Sequence, residues 1–293
     1  MNSVFNKIAK SGLIAPVSAG TEQQISALSK SGIFCAEVNF LLPFVKKTVW
    51  EICARCPQIL LGIGTISDEE NLKKAQSAGV SFYTVSADLF LKAKNDCKNL
   101  IPVCTTPEEV KRVVNGGCSF LQVSAETAKT ASLFSTYKEV RFIVSGADDI
   151  SAYAVLPQVA AVKLNTTGNA AVYSRAMEAL LGYDLRHVGI NCDNAEESAA
   201  VAEQFEMLFG FPKEDRGGAY FAGNVIEVMK KQFYGKHGHI AIITNSAERA
   251  AYYLEKKGVA LNWQSAGYNP DGSLRVVYLQ NEVGGFALHI LQK

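Results

Sequence analysis

The sequence predicts a closed (β/α)8 barrel followed by a tandem pair of βαβββ modules, an α/β domain joined to an α+β one. Two observations carry this expectation. Up to about residue 168, short β-rich runs recur at intervals of about 20 residues, each followed by an amphipathic helical segment. From Leu185 onward the texture changes, and the order strand, helix, strands occurs twice.

The eight runs of the first part are GLIAPV, FCAEVNF, ILLGIGT, FYTVSA, NLIPVCT, FLQVSA, VRFIVS and AAVKLN. Strands this apolar, alternating with helices, form a parallel sheet covered by helices, and eight such units close a barrel. An open doubly wound sheet is the alternative, but the sequence lacks the phosphate fingerprint G-x-G-x-x-G and offers only the G-x-G of ILLGIGT. The helical segment NAAVYSRAMEALLGYD then leads to a boundary near residues 180–184, giving domains 1–180 and 185–293.

The second part opens with LRHVGINC, a helix (AEESAAVAEQFEMLFGF) and the strands GGAYFAG and NVIEVMK. The same order returns as GHIAIIT, a helix (SAERAAYYLEKKG), then ALNWQSAG, LRVVYLQ and GFALHILQ. Two such modules in tandem pair their sheets around a shared cleft.

Composition removes several classes of partner. With 29 basic against 28 acidic residues and no basic block, the chain has no stripe that would follow a phosphate backbone, so a nucleic-acid partner is not expected. No apolar run approaches the roughly 18 residues of a membrane span, and MNSVFNKIAKSG lacks the apolar core of a signal peptide. A cytoplasmic protein without a membrane partner is expected. The seven cysteines are scattered through apolar segments without a disulfide pattern, and the C-x-x-C of Cys53 and Cys56 lies in a helical stretch with no second pair to complete a zinc site.

Strand alternation assigns faces in the barrel. In FCAEVNF, Cys35, Glu37 and Asn39 share the inward face, so Glu37 points to the barrel axis. Gln122 and Ser124 do so on the sixth strand, Lys163 and Asn165 on the eighth, and Thr65 and Thr105 close the third and fifth strands near the carboxyl-terminal mouth.

On these residues the barrel resembles the KDPG/KHG aldolase family, class I enzymes that cleave 2-oxo acids to pyruvate and an aldehyde. AEVNF is similar to the family's E-V-T-L-R strand, GIGTI to its G-A-G-T strand, and TTPEE keeps the T-P of its fifth loop. The resemblance implies that Glu37 is an acid/base residue and that Thr65, Thr105, Gln122, Gly146 and Asn165 stand around a small-molecule 2-oxo acid or sugar acid.

Three departures change what the resemblance implies. The family's imine-forming lysine of K-F-F-P-A-E is Gln122 in FLQVSAE, and an amide cannot form an imine because its nitrogen lone pair is delocalised. The arginine that grips the substrate carboxylate falls on Leu41, and the phosphate loop is reduced to SGADD, with Asp148 and Asp149 opposing a phosphate. Lys163 is the remaining inward amine. It is either a relocated nucleophile or the ionic partner of Glu37 across the intervening first strand.

All four histidines lie from residue 187 onward. His187 in HVGI and His239 in HIAI open the first strand of each module, while Glu227 in VIEVM and His289 in ALHIL occupy the last. Four N/O donors at repeat-equivalent positions predict one shared divalent metal site, with Zn, Ni, Fe, Mn and Co all suited to the donors. His237 shares a face with His239 and is the residue most easily confused with a ligand.

Residues 185–293 resemble the vicinal oxygen chelate superfamily, and VIEVMKKQFYGKHGHIAI is similar to glyoxalase I in its I-E-L glutamate and G-H-I-A histidine. On that resemblance His187, Glu227 and His239 carry over as ligands, and His289 stands where a glutamate is usual. The expected function is a metal-dependent isomerase or lyase acting on a small oxo acid or sugar acid. The alternatives are a carbon–carbon lyase using Lys163 or the metal, and a non-catalytic binding or scaffold protein. A homo-oligomer is implied by both resemblances.

Overall fold

The computed structural model describes residues 3–18, 20–130, 132–165 and 168–293, and the chain divides into two compact units, residues 1–180 and 181–293. In the first unit the strands β1 (Leu13–Val17), β2 (Cys35–Asn39), β3 (Leu60–Ile66), β4 (Phe82–Ser86), β5 (Leu100–Cys104), β6 (Phe120–Ser124), β7 (Arg141–Ser145) and β8 (Val159–Lys163) form a closed barrel in sequence order. All pairings are parallel, and β1 closes the ring against β8.

Local sequence explains the turn from strand to helix. Thr21, Asp68, Ser86, Thr106, Ser124 and Asp149 each cap the next helix, their side-chain oxygens accepting backbone N–H groups two or three residues on. Asp149 of the SGADD segment is thereby given a structural task, and so is the inward-facing Ser124.

The strand registers stack the inward side chains in layers drawn from alternate strands. Glu37 pairs with Gly62 and Gly62 with Phe82, so the barrel's stagger brings Thr84, two residues beyond Phe82, level with Glu37. The same step leads from Ile101, the partner of Thr84, to Gln122, and from Ala161 to Lys163. Glu37, Thr84, Gln122 and Lys163 are therefore one layer. Two residues below each of them lie Cys35, Phe82, Phe120 and Ala161, an apolar layer of the buried core.

Both glycines of GIGT are space-makers for these layers. A Cβ on Gly62 would lie 2.2 Å from the Phe82 ring, and one on Gly64 would lie 1.8 Å from Thr84 Oγ1. The G-x-G is a packing device.

The helix Ser3–Ser11 was not foreseen, since the N-terminal stretch shows no strand-helix rhythm. It packs against the barrel core, with Ile8 fully buried and Phe5 stacked on Phe120 at 4.5 Å.

The second unit is one eight-stranded sheet. Module one comprises β9 (Asp184–Asn191), the helix Ala195–Phe209, β10 (Lys213–Asp215), β11 (Ala219–Ala222) and β12 (Ile226–Met229). Module two comprises β13 (Gly238–Thr244), the helix Ala247–Lys256, β14 (Leu261–Tyr268), β15 (Leu274–Leu279) and β16 (Phe286–Gln292). The order β10-β11-β12-β9-β13-β16-β15-β14 joins the modules through antiparallel β9 and β13. The short strand β10 escapes sequence reading because KED is a charged, half-exposed edge with no apolar alternation. Val228 faces the helix Ala195–Phe209, whose Ser198 hydroxyl donates to its carbonyl at 2.8 Å, so Glu227 faces the other way. No helix among the described residues is long and apolar enough to cross a membrane.

A candidate metal centre and a polar ring in the barrel

The four central strands of the second sheet each contribute one donor. His187 and His289 flank Ala241 from opposite sides, and Glu227 and His239 flank Gly189 in the same way. The two modules are thus related residue for residue, which places all four side chains on one face of the sheet. Close packing lets them meet: a Cβ on Gly189 would lie 2.1 Å from the His239 ring, so only glycine leaves room for that imidazole.

His187 Nε2 lies 3.1 Å from His239 Nε2, and each lies 3.0 Å from Glu227 Oε2. The nitrogens of His187, His239 and His289 all fall within 4.8 Å of one another. Hydrogen bonds cannot satisfy this triangle. If both imidazoles give an N–H to the carboxylate, the edge between the two nitrogens sets donor against donor. A cation receiving the three lone pairs removes the conflict. The edges also match adjacent donors around a six-coordinate ion, which at metal–nitrogen distances of about 2.1 Å stand about 3 Å apart.

Further signs agree with this fit. Both ring nitrogens of buried His289 lack a hydrogen-bond partner, as does Nδ1 of His239. Burial, joined by the neighbouring His239 and His187, pushes His289 down to about 3, so its imidazole is neutral at pH 7. Burial works to raise Glu227, but hydrogen bonds from His187 and His239 outweigh it and bring the carboxyl down to about 2. Neutral imidazole and ionised carboxylate are the ligand forms of these groups.

Aromatic rings hold the imidazoles in place. Tyr278 stacks on His289 at 4.6 Å, Phe221 stands edge-on to His187 at 6.0 Å, and Phe233 edge-on to His239 at 6.4 Å. These rings and Gly189 were not singled out in the sequence. The signal for Gly189 was present, since it follows His187 by two residues on the same face. His237, by contrast, is exposed and lies beside Gly285 and Phe286. Tyr253 is core, while Trp263 donates to Glu255 at 3.1 Å on the surface.

In the barrel, Lys163 Nζ lies 2.5 Å from Glu37 Oε1, with the two side chains 16 % and 3 % exposed. Gln122 Nε2 donates to Ser145 Oγ at 3.3 Å, and the Ser145 hydroxyl in turn donates to the Val123 carbonyl at 3.2 Å. Thr84, completely buried, completes the ring. It obeys the same alternation that located Glu37, because FYTVS sets it on the face of Phe82.

Thr105 gives its hydroxyl to Glu109 at 2.8 Å, while Thr65, Gly146 and Asn165 are exposed. Leu41 is 81 % exposed. Cys53 is exposed and Cys56 buried, both free, with the Cys56 thiol 3.9 Å from the Ile25 carbonyl.

Eight closed β/α units with a polar layer toward the carboxyl ends of the strands define a barrel of the enzyme-bearing class. Residues 11–176 match the family described as KDPG and KHG aldolase, and the chain belongs to that family. A 2-dehydro-3-deoxy-phosphogluconate aldolase of Treponema pallidum is 29 % identical over 147 residues, 46 % of this chain and 70 % of that protein. The crystal structure of 2-keto-3-deoxy-6-phospho-gluconate aldolase from Zymomonas mobilis overlaps 61 % of this chain and 98 % of its own, with TM-score 0.53 and 18 % identity. A Streptomyces coelicolor methylmalonyl-CoA epimerase overlaps 38 % of this chain and 94 % of its own at TM-score 0.28 and 17 % identity. The second unit's own strand order carries its fold, tandem βαβββ modules in the vicinal oxygen chelate arrangement.

Proposed function

We propose that the protein is a two-site metabolic enzyme whose second unit holds a divalent transition-metal ion on His187, Glu227, His239 and His289. Its reaction is an isomerisation or lyase step on a small 2-oxo acid or sugar acid. The observation that supports this best is the triangle of His187, His239 and Glu227 atoms at 3.0–3.1 Å, which hydrogen bonding leaves in conflict. When bound, the ion supplies Lewis-acid polarisation of a substrate oxygen. The protein's own contribution is to hold three imidazoles and one carboxylate in a partly buried aromatic setting. Imidazole-rich donor sets favour Zn, Ni, Fe, Mn or Co over magnesium or calcium.

The barrel, in this reading, binds without covalent chemistry. Gln122 occupies the imine lysine's position, and Lys163 is engaged by Glu37. Membership in an aldolase family keeps a second reading alive, that of a lyase with Lys163 as nucleophile. Borohydride reduction in the presence of pyruvate tests it, and an unmodified Lys163 peptide in mass spectrometry excludes it.

The main proposal is tested by metal analysis of the full chain after supply of each of the five ions. A near-stoichiometric ion, lost in both His187→Ala and Glu227→Ala, is the expected result. Failure to retain any of the five ions would remove the enzyme reading of this unit. A screen of 2-oxo and sugar acids on the loaded protein then identifies the reaction.

A further inference from the structure

The helix layer of the first unit holds a cavity that shares no residue with the polar ring. Its walls come from the segment before and at the start of the helix Val45–Arg55, from the end of the helix Glu69–Gln76, and from β3. Ile63 of β3 alternates with Gly62 and Gly64, whose missing side chains make room for Phe82 and Thr84 within the barrel, so Ile63 faces the helices. The cavity therefore lies outside the barrel's interior. Its volume of about 400 Å³ is that of a small-molecule site.

The lining decides the class of ligand. Phe40, Leu42, Phe44, Val45 and Ile63 make the wall apolar, and no hydroxyl, amide or carboxylate side chain lines it. A sugar or a polar peptide would lose water there without regaining hydrogen bonds. The two charged residues of the lining are Lys46 and Lys74. Lys74 is paired with Glu70 at 2.7 Å, whereas Lys46 has no ionic partner among the described residues, so one positive charge is left over. The helix that begins beside Lys46 has no acidic residue in its first turn, and its dipole adds to the field of that ammonium. An apolar body carrying one carboxylate matches both the wall and the charge.

Phe44 is the second mark of a ligand here. At 82 % it is the most exposed large apolar side chain among the described residues, and its φ of +60° sets a bulky residue in the left-handed region. The chain's own packing gives little reason to hold a phenylalanine in this way. An apolar ligand lying against the ring does.

We infer that this cavity binds an apolar monocarboxylate, a hydrocarbon chain or ring ended by one carboxylate, with Lys46 holding the carboxylate and Phe44 covering the apolar body. The inference goes beyond the reaction proposed above and is independent of the metal and of the chemistry of Lys163.

The test uses the full chain in isothermal titration calorimetry, with octanoate, 1-octanol and succinate as probes. Octanoate is expected to bind, 1-octanol to bind about two- to fivefold more weakly, the range for an exposed ion pair, and succinate not to bind. Lys46→Met should bring octanoate to the affinity of 1-octanol and leave 1-octanol unchanged. Ala78→Leu adds side chain to the cavity wall and should abolish binding of both. Phe44→Gly should weaken both probes while leaving the unfolding midpoint of the ligand-free chain unchanged or higher, because glycine accepts the left-handed backbone and the lost ring was exposed. Silence of octanoate overturns the inference. So does octanoate binding that Ala78→Leu and Phe44→Gly leave unaltered, which would place the ligand elsewhere. Equal affinities of octanoate and 1-octanol, insensitive to Lys46→Met, overturn the assignment of the carboxylate. A lowered ligand-free midpoint for Phe44→Gly overturns the role of the ring as a ligand cover, since it would mark the ring as part of the protein's own packing.

Discussion

Gly189 on β9 lies directly against the imidazole of His239 on β13, its partner in the register, and a methyl group there would come within 2.1 Å of the ring. The position of that imidazole, a proposed metal ligand, is therefore set by the absence of a side chain on the neighbouring strand. Gly189→Ala is expected to displace His239 and to reduce metal affinity about 10- to 100-fold, the range for groups that orient a ligand. Competition with a chromogenic chelator measures it, and unchanged affinity would show that Gly189 does not position the site.

The barrel offers the same device without a ligand. Gly62→Ala forces a Cβ to 2.2 Å from the Phe82 ring, overpacking the apolar layer. A loss of about 1–3 kcal/mol in urea unfolding is expected. A neutral result would show that Phe82 can turn aside.

Breaking the Glu37–Lys163 pair should cost more than removing it. Lys163→Met leaves a carboxylate that is 4 % exposed without its cation, and a loss of about 3 kcal/mol or more is expected. The double variant Lys163→Met with Glu37→Leu should recover most of that stability. Additive losses in a double-mutant cycle would argue against a buried pair.

Gln122→Lys restores an amine at the position where the family forms its imine. It would stand in one layer with Lys163, whose positive charge should lower the new amine's pKa and so free its lone pair. Borohydride and pyruvate are expected to label residue 122 in this variant, by peptide mass spectrometry. An unlabelled peptide would mean that the ring cannot seat pyruvate beside an amine there.

In the metal-free protein, acid should weaken the second unit through His289. Its folded-state value of about 3 lies below the ordinary 6.5, so the unfolded chain binds the extra proton first. The contribution to stability is complete above about pH 6.5 and is lost as pH falls toward 3. His289→Leu should flatten that part of the stability profile measured by denaturant unfolding. An unchanged slope would assign the acid sensitivity to other groups.

The sequence by itself determined the two architectures and the facing of the barrel's polar side chains. Apolar runs at regular spacing can be buried only in a helix-covered parallel sheet, and period-two alternation is enough to aim Glu37, Gln122 and Lys163 at one axis. The repeated order of the second half likewise made His187, Glu227, His239 and His289 equivalent before any coordinates. The tertiary structure alone decided which of these atoms meet. Barrel stagger set Thr84 level with Glu37, and the pairing of β9 with β13 brought His187 and His239 to 3.1 Å. Distances of that kind arise between strands far apart in the chain, where no local pattern fixes register. Gly62, Gly64 and Gly189 show the limit most directly, since the space a glycine leaves has meaning only once the neighbour that fills it is known.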